Sequence, residues 1–204
     1  VTASYINDFT RLVYEKLSKA EFNEKRRREG KGPINMVLLR GAGSMRSFES
    51  LSSKYRIKPA IIAGVALIRG IGRALGMDVI NVDNYIGSKD DDFIAAFQAA
   101  ARAFNDHDFV FVHVKPTDSM SHDGDARGKM MIIERVDAGI RRFLEEAPSD
   151  TYIFITCDHA TPITVREHTG DPVPFLAWGP DVMRDDITQF SERACAKGFW
   201  GRIS

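Results

Sequence analysis

The chain has little of what marks several large protein classes. Two cysteines, Cys157 and Cys195, are too few for a disulfide scaffold and fit a reducing, cytoplasmic setting. The longest uncharged apolar stretch, Pro59 to Ile68, is far too short to cross a bilayer. No charged-then-apolar targeting signal opens the chain. Net charge is absent as well: 28 Lys and Arg balance 28 Asp and Glu, so no field of one sign recruits nucleic acid or an anionic membrane surface. There is no internal repeat and no low-complexity tract. The first residue is Val1 rather than Met, which gives the expectation of a piece of a longer polypeptide.

What is present is ordinary for a globular protein with a real core: 204 residues, 44% hydrophobic and 27% charged. Apolar residues at Ile6, Phe9, Val13 and Leu17 have helical spacing over 3–20. The charged run 21–32 (EFNEKRRREGKG) reads as a solvated turn, and NMVLLR (35–40) as a short buried strand. AIIAG (60–64), MDVINV (77–82), DFVFVHV (108–114), TYIFITC (151–157) and PVPFLAW (172–178) are further strand candidates. Helical patterns occupy 65–76, 91–105 and 126–146. Alternation at this pitch predicts an α/β protein, with a mostly parallel sheet flanked by helices on both faces.

Two glycine-rich segments carry weaker signals. Gly70, Gly72 and Gly76 lie inside a predicted helix, with the third glycine one residue late for a dinucleotide fingerprint, so helix packing explains them better. Arg40-Gly41-Ala42-Gly43 follows a predicted strand, where small residues let backbone N–H groups approach an anion and Arg40 can fork onto a phosphate. A plain tight turn with a surface arginine explains that segment equally well.

The strongest chemistry lies between 118 and 168. Asp118 and His122 follow strand 108–114, Asp158 and His159 follow strand 151–157, and His168 lies in the loop before 172–178. Residues that follow strand ends in a parallel sheet converge on one edge. Asp118 and His122 are four apart, so one helical turn or a compact loop aims both at one cation. Asp158 and His159 are adjacent, which suits either two different cations or one cation and a bent backbone. Each piece alone reads as a surface pair, a turn or a cap. Together they read as a site for transition ions such as Mn²⁺ or Zn²⁺, since Ca²⁺ prefers oxygen-only shells. His113 reads as buried or supporting a ligand, and His107 as solvated. Asp123 and Asp125 read as helix caps or supporting carboxylates, while Lys115 and Lys129 lie within reach of a phosphate.

With those residues in view, HVKPTDSMSHDGD (113–125), TCDHATP with the following EH and DPVP (156–174), and PINMVLLRGAG (33–43) resemble the signatures of archaeal-type 2,3-bisphosphoglycerate-independent phosphoglycerate mutases. That family belongs to the alkaline-phosphatase-like superfamily. The resemblance runs through the closing FSERACAKGFWGRI (190–203). It implies an alkaline-phosphatase-like core and the interconversion of 3-phosphoglycerate and 2-phosphoglycerate in glycolysis and gluconeogenesis, through a phosphoserine. It implies two divalent cations, Mn²⁺ foremost, with Mg²⁺, Co²⁺ or Zn²⁺ as alternatives. Asp118, His122 and His168 match the ligands of one, Asp158 and His159 two ligands of the other. Arg40 and Arg26 match contacts to the anionic substrate.

The departures from the family pattern are informative. The family's nucleophilic serine and a further metal-binding aspartate belong to an N-terminal segment that this sequence does not contain. Ser44, Ser119 and Ser121 do not match that serine, and Ser121 stands where the motif usually has glycine before its histidine. The expectation is a C-terminal half: residues 1–50 as the end of an inserted domain with its return linker, and 51–204 as an incomplete metal-binding core. Alone it would turn over negligibly. A related phosphomonoesterase or sugar-phosphate mutase, and a catalytically silent metal- or phosphate-binding protein, are the alternatives.

Overall fold

The computed structural model describes residues 2–39, 41, 43–44 and 47–201. The chain divides into two compact units, Val1–Arg46 and Ser47–Ser204. The first holds α1 (Thr2–Ser18) and α2 (Glu21–Arg28). The charged run expected to be a solvated turn is therefore helical. Its order of charges explains this: Glu21 and Glu24 occupy the first turn and Lys25 to Arg28 the last, each complementing the helix dipole. Fully buried Asn23 fastens the unit, donating to the carbonyls of Leu17 and Ile34 and accepting from the Ile34 amide at 2.8 Å. Residues 35–39 of the expected strand form none. Among the described residues this unit contains two helices and no strand edge to pair with.

In the second unit the order is α3 (Leu51–Tyr55), β1 (Pro59–Ala63), α4 (Ala66–Ala74), β2 (Asp78–Val79), α5 (Phe93–Ala103), β3 (Phe109–His113), α6 (Pro116–Asp123), α7 (Ala126–Glu146), β4 (Ile153–Ile155), β5 (Leu176–Trp178) and α8 (Glu192–Cys195). Strands β2, β1 and β3 form a parallel sheet in that order, with Pro59 opposite Phe109 and Ala63 opposite His113. Every residue of β1 is buried, as expected of a central strand covered on both faces. The predicted strand 172–178 pairs differently. β5 runs antiparallel to β4, with Ile153 opposite Trp178. No helix separates these two strands to carry the chain back for a parallel return, and the loop between them turns straight back into an antiparallel pair. The architecture is thus a mostly parallel sheet with flanking helices, plus one antiparallel pair.

The core gathers Ile62, Tyr85, Phe93, Ala96, Ala100, Met120, Ile132 and Phe143. Gly139 lets α7 approach α5 closely, since a Cβ there would lie 2.5 Å from the Phe97 ring. The His107 ring, expected in solvent, is mostly covered; it contacts the Ala103 carbonyl at 3.0 Å and Asp78 at 3.2 Å. Beyond β3, Pro116 starts α6 at a position where a missing N–H is harmless, and Gly124 ends it at φ +73°. Asp125 then caps α7 by accepting from Gly128 N at 2.8 Å, which is the cap reading of its sequence.

Candidate metal centre

Three polar atoms meet in a small triangle. Asp118 Oδ1 lies 3.4 Å from His122 Nε2 and 3.4 Å from His168 Nε2. The two Nε2 atoms are 3.2 Å apart. Asp118 is in the first turn of α6 and His122 one turn later, so helix geometry stacks them on one face. A cation held at about 2.0–2.1 Å by nitrogen and oxygen donors sets neighbouring donors about 3.0–3.4 Å apart. The triangle has that size, so its donors fit a divalent transition ion.

Hydrogen bonds fix which atoms face inward. His122 Nδ1 lies 2.7 Å from the Arg166 carbonyl oxygen. A carbonyl only accepts, so Nδ1 carries the proton and Nε2 presents its lone pair. At Asp118, burial favours the neutral acid. Hydrogen bonds from Lys115 and Thr161, with the Lys115 charge, outweigh it and hold the carboxyl down at about 2. The Lys115 ammonium grips Oδ2, while Thr161 donates to Oδ1 at 2.9 Å.

His159 joins from the loop after β4. The isolated antiparallel bridge between Ala160 and Thr169 makes His159 and His168 diagonal neighbours across the loop, and their rings stack at 3.7 Å. Thr161 gives its proton to Asp118, so His159 must donate from Nδ1 to Thr161 Oγ1, 3.1 Å away. Its Nε2 then lies 3.4 Å from Asp158 Oδ2. Two electron-rich atoms at that distance repel unless a proton or cation bridges them. The donor atoms of Asp118, His159 and His168 also lie within 4.8 Å of one another, so His159 adjoins the triangle as a further potential donor.

The structure thus brings together Asp118, His122, His159 and His168, with the largely exposed Asp158 joined through His159. His113 ends β3 with Nδ1 buried and unbonded, and burial lowers its pKa. Arg26 lies in the first unit, where Nε donates to the Gly32 carbonyl at 2.9 Å. Arg40 falls outside the described residues. Sequence reasoning missed Thr161 and Arg166. Thr161 had a faint signal in its position two residues after His159, whereas Arg166 acts through a backbone oxygen, which no residue type announces.

The family model for the metalloenzyme superfamily matches residues 14–204. The 2,3-bisphosphoglycerate-independent phosphoglycerate mutase of Pyrobaculum islandicum is 49% identical over 203 residues, covering 100% of this chain and 49% of that protein. The mutase of Methanopyrus kandleri is 42% identical, with 100% and 49% covered. A solved Pyrococcus horikoshii protein superposes with a TM-score of 0.89 at 38% identity, over 98% of this chain and 53% of that one. The cofactor-independent phosphoglycerate mutase of Thermoplasma acidophilum gives 0.58 at 27% identity, over 97% and 48%. The chain spans about half the length of the curated relatives it matches. Superfamily match and donor set agree on metal-dependent chemistry: this chain belongs to the metalloenzyme superfamily, with the archaeal bisphosphoglycerate-independent mutases among its relatives.

Proposed function

We propose that this chain is the metal-holding C-terminal half of a 2,3-bisphosphoglycerate-independent phosphoglycerate mutase. The protein would interconvert 3-phosphoglycerate and 2-phosphoglycerate through a phosphoserine, in the cytoplasm, as a step of glycolysis and gluconeogenesis. The triangle of Asp118, His122 and His168 carries this reading, joined to the mutase relatives that match the chain from end to end. Asp118, His122 and His168 would hold one divalent cation; Asp158 and His159 would hold a second with ligands from the other half. Mn²⁺ is the foremost candidate by the mutase resemblance, with Mg²⁺, Co²⁺ or Zn²⁺ as alternatives that the mixed carboxylate and imidazole set also admits. Bound there, such ions supply charge neutralisation at a transferring phosphoryl group and a nucleophile of lowered pKa.

The chain's own residues prepare that chemistry. Lys115 and Thr161 keep Asp118 ionised, and the Arg166 carbonyl aims His122 Nε2 inward. Arg40 and Arg26 would contact the anionic substrate, whose phosphate and carboxylate suit guanidinium forks. The serine that carries the phosphoryl group would come from the remaining length, as would the cover for apolar strand residues such as Phe111, 43% exposed, and Phe154, 62% exposed. Residues 1–50 would end an inserted domain and return the chain to the core.

The test is the protein at its relatives' full length, purified with Mn²⁺ and supplied with 3-phosphoglycerate but no bisphosphoglycerate. Formation of 2-phosphoglycerate is expected. Release of inorganic phosphate without isomerisation would replace the mutase by a phosphomonoesterase, and no turnover of either kind would leave a silent metal-binding protein.

A further inference from the structure

The donors come from two separate stretches of backbone, α6 and the 156–168 loop, and one ammonium group ties the two together. Lys129 sits in the first turn of α7. Its half-buried Nζ donates to Ser121 Oγ at 2.8 Å and to the Thr161 carbonyl oxygen at 3.3 Å. Ser121 is wholly buried one residue before His122, and its own proton goes to the Thr117 carbonyl at 3.0 Å. Its lone pairs are therefore turned to the ammonium. Thr161, also buried, is the residue whose hydroxyl lies between Asp118 and His159. Lys129 thus grips the helix beside His122 and the loop beside His159 at once.

We propose that Lys129 is a positioning residue of the metal centre, setting the separation between the α6 ligands and the loop ligands through Ser121 and Thr161. This rests on the reading of Asp118, His122 and His168 as ligands of a divalent cation. The serine is the telling part. Without a side-chain oxygen at 121 the ammonium would have no hold on the helix side, so alanine there cuts the clamp at one end. Coulomb's law alone predicts the opposite effect of Lys129, because a nearby positive charge weakens cation binding. The sign of the change in affinity therefore separates positioning from bare electrostatics.

The experiment is Mn²⁺ titration of the 204-residue chain, following the resonance of the free ion, with circular dichroism to verify folding. Lys129→Met is expected to weaken Mn²⁺ binding about tenfold, the size seen when partners of metal ligands are removed. Ser121→Ala is expected to weaken it in the same direction. The double variant should bind no more weakly than Lys129→Met, because both changes break one clamp. A parent chain that binds Mn²⁺ while Lys129→Met binds equally or more tightly overturns the positioning role alone. Should Lys129→Met fail to fold, unchanged affinity in Ser121→Ala overturns it instead. A parent chain that binds no Mn²⁺ overturns the ligand reading and the clamp with it.

Discussion

The Nδ1 of His122 lies 2.7 Å from the carbonyl oxygen of Arg166, whose backbone adopts φ +62° to put that oxygen there. A left-handed conformation costs about 1–2 kcal/mol for a residue with a side chain, and more for a β-branched one. Arg166→Gly should therefore keep Mn²⁺ affinity within about twofold and leave stability level or slightly raised. Arg166→Val should lose about 1–2 kcal/mol and weaken Mn²⁺ binding. Calorimetric titration and thermal denaturation measure both, and indistinguishable variants would remove the backbone carbonyl from the account.

Gly124 faces the same residue from the other side. It sits at φ +73°, and a Cβ there would meet the Arg166 guanidinium at 2.5 Å. Gly124→Ala should destabilise the fold by about 1–2 kcal/mol from backbone strain alone. Pairing it with Arg166→Gly removes the crowding but leaves the strain, so partial recovery in urea unfolding is the expected result. Full recovery would mean that crowding was the whole effect.

Asp118 accepts from two partners and faces two imidazoles, so its charge is central to the site. Asp118→Asn keeps the shape and loses the charge. Mn²⁺ affinity should fall by about 100-fold or more, beyond the range for partners of ligands. With Mn²⁺ at about one hundred times its Kd, the parent should gain about 2.7 kcal/mol, lost on adding a chelator. For Asp118→Asn at the same Mn²⁺ concentration the chelator should remove no more than about 0.4 kcal/mol. A chelator response equal to the parent's would place the ion elsewhere.

Asp91 offers a control outside the candidate metal donors. It is 1% exposed and accepts from the amides of Ile86, Gly87 and Ser88, while Arg135 holds its carbonyl. Asp91→Ala leaves three part-buried amides without their acceptor and should cost about 2 kcal/mol in denaturant unfolding. A loss below about 1 kcal/mol would mean water replaces the carboxylate.

Much of this was legible in residue order. Apolar spacing marked α1, α4, α5 and α7, and unbroken β-branched runs marked β1 and β3. The five donor residues at strand ends stood out because ligand-type side chains rarely cluster where strands converge. The helix at 21–28 was hidden because its support is charge order along the axis, not an apolar face. The pairing of β5 was hidden because direction depends on the connection, and a long loop without a helix looks like any other loop. His107 looked solvated by its acidic neighbours, yet Ala103 and Asp78, distant or unremarkable in sequence, enclose it.

The β4–β5 ladder and the Ala160–Thr169 bridge hold the ligand loop at both its base and its middle. The backbone that carries His159 and His168 is therefore shaped by its own pairing. The consequence is kinetic. Capture of an ion by such a loop involves little search among chain conformations, so its rate should follow how fast the incoming ion sheds water, and should rank metals by their water-exchange rates rather than by their affinities.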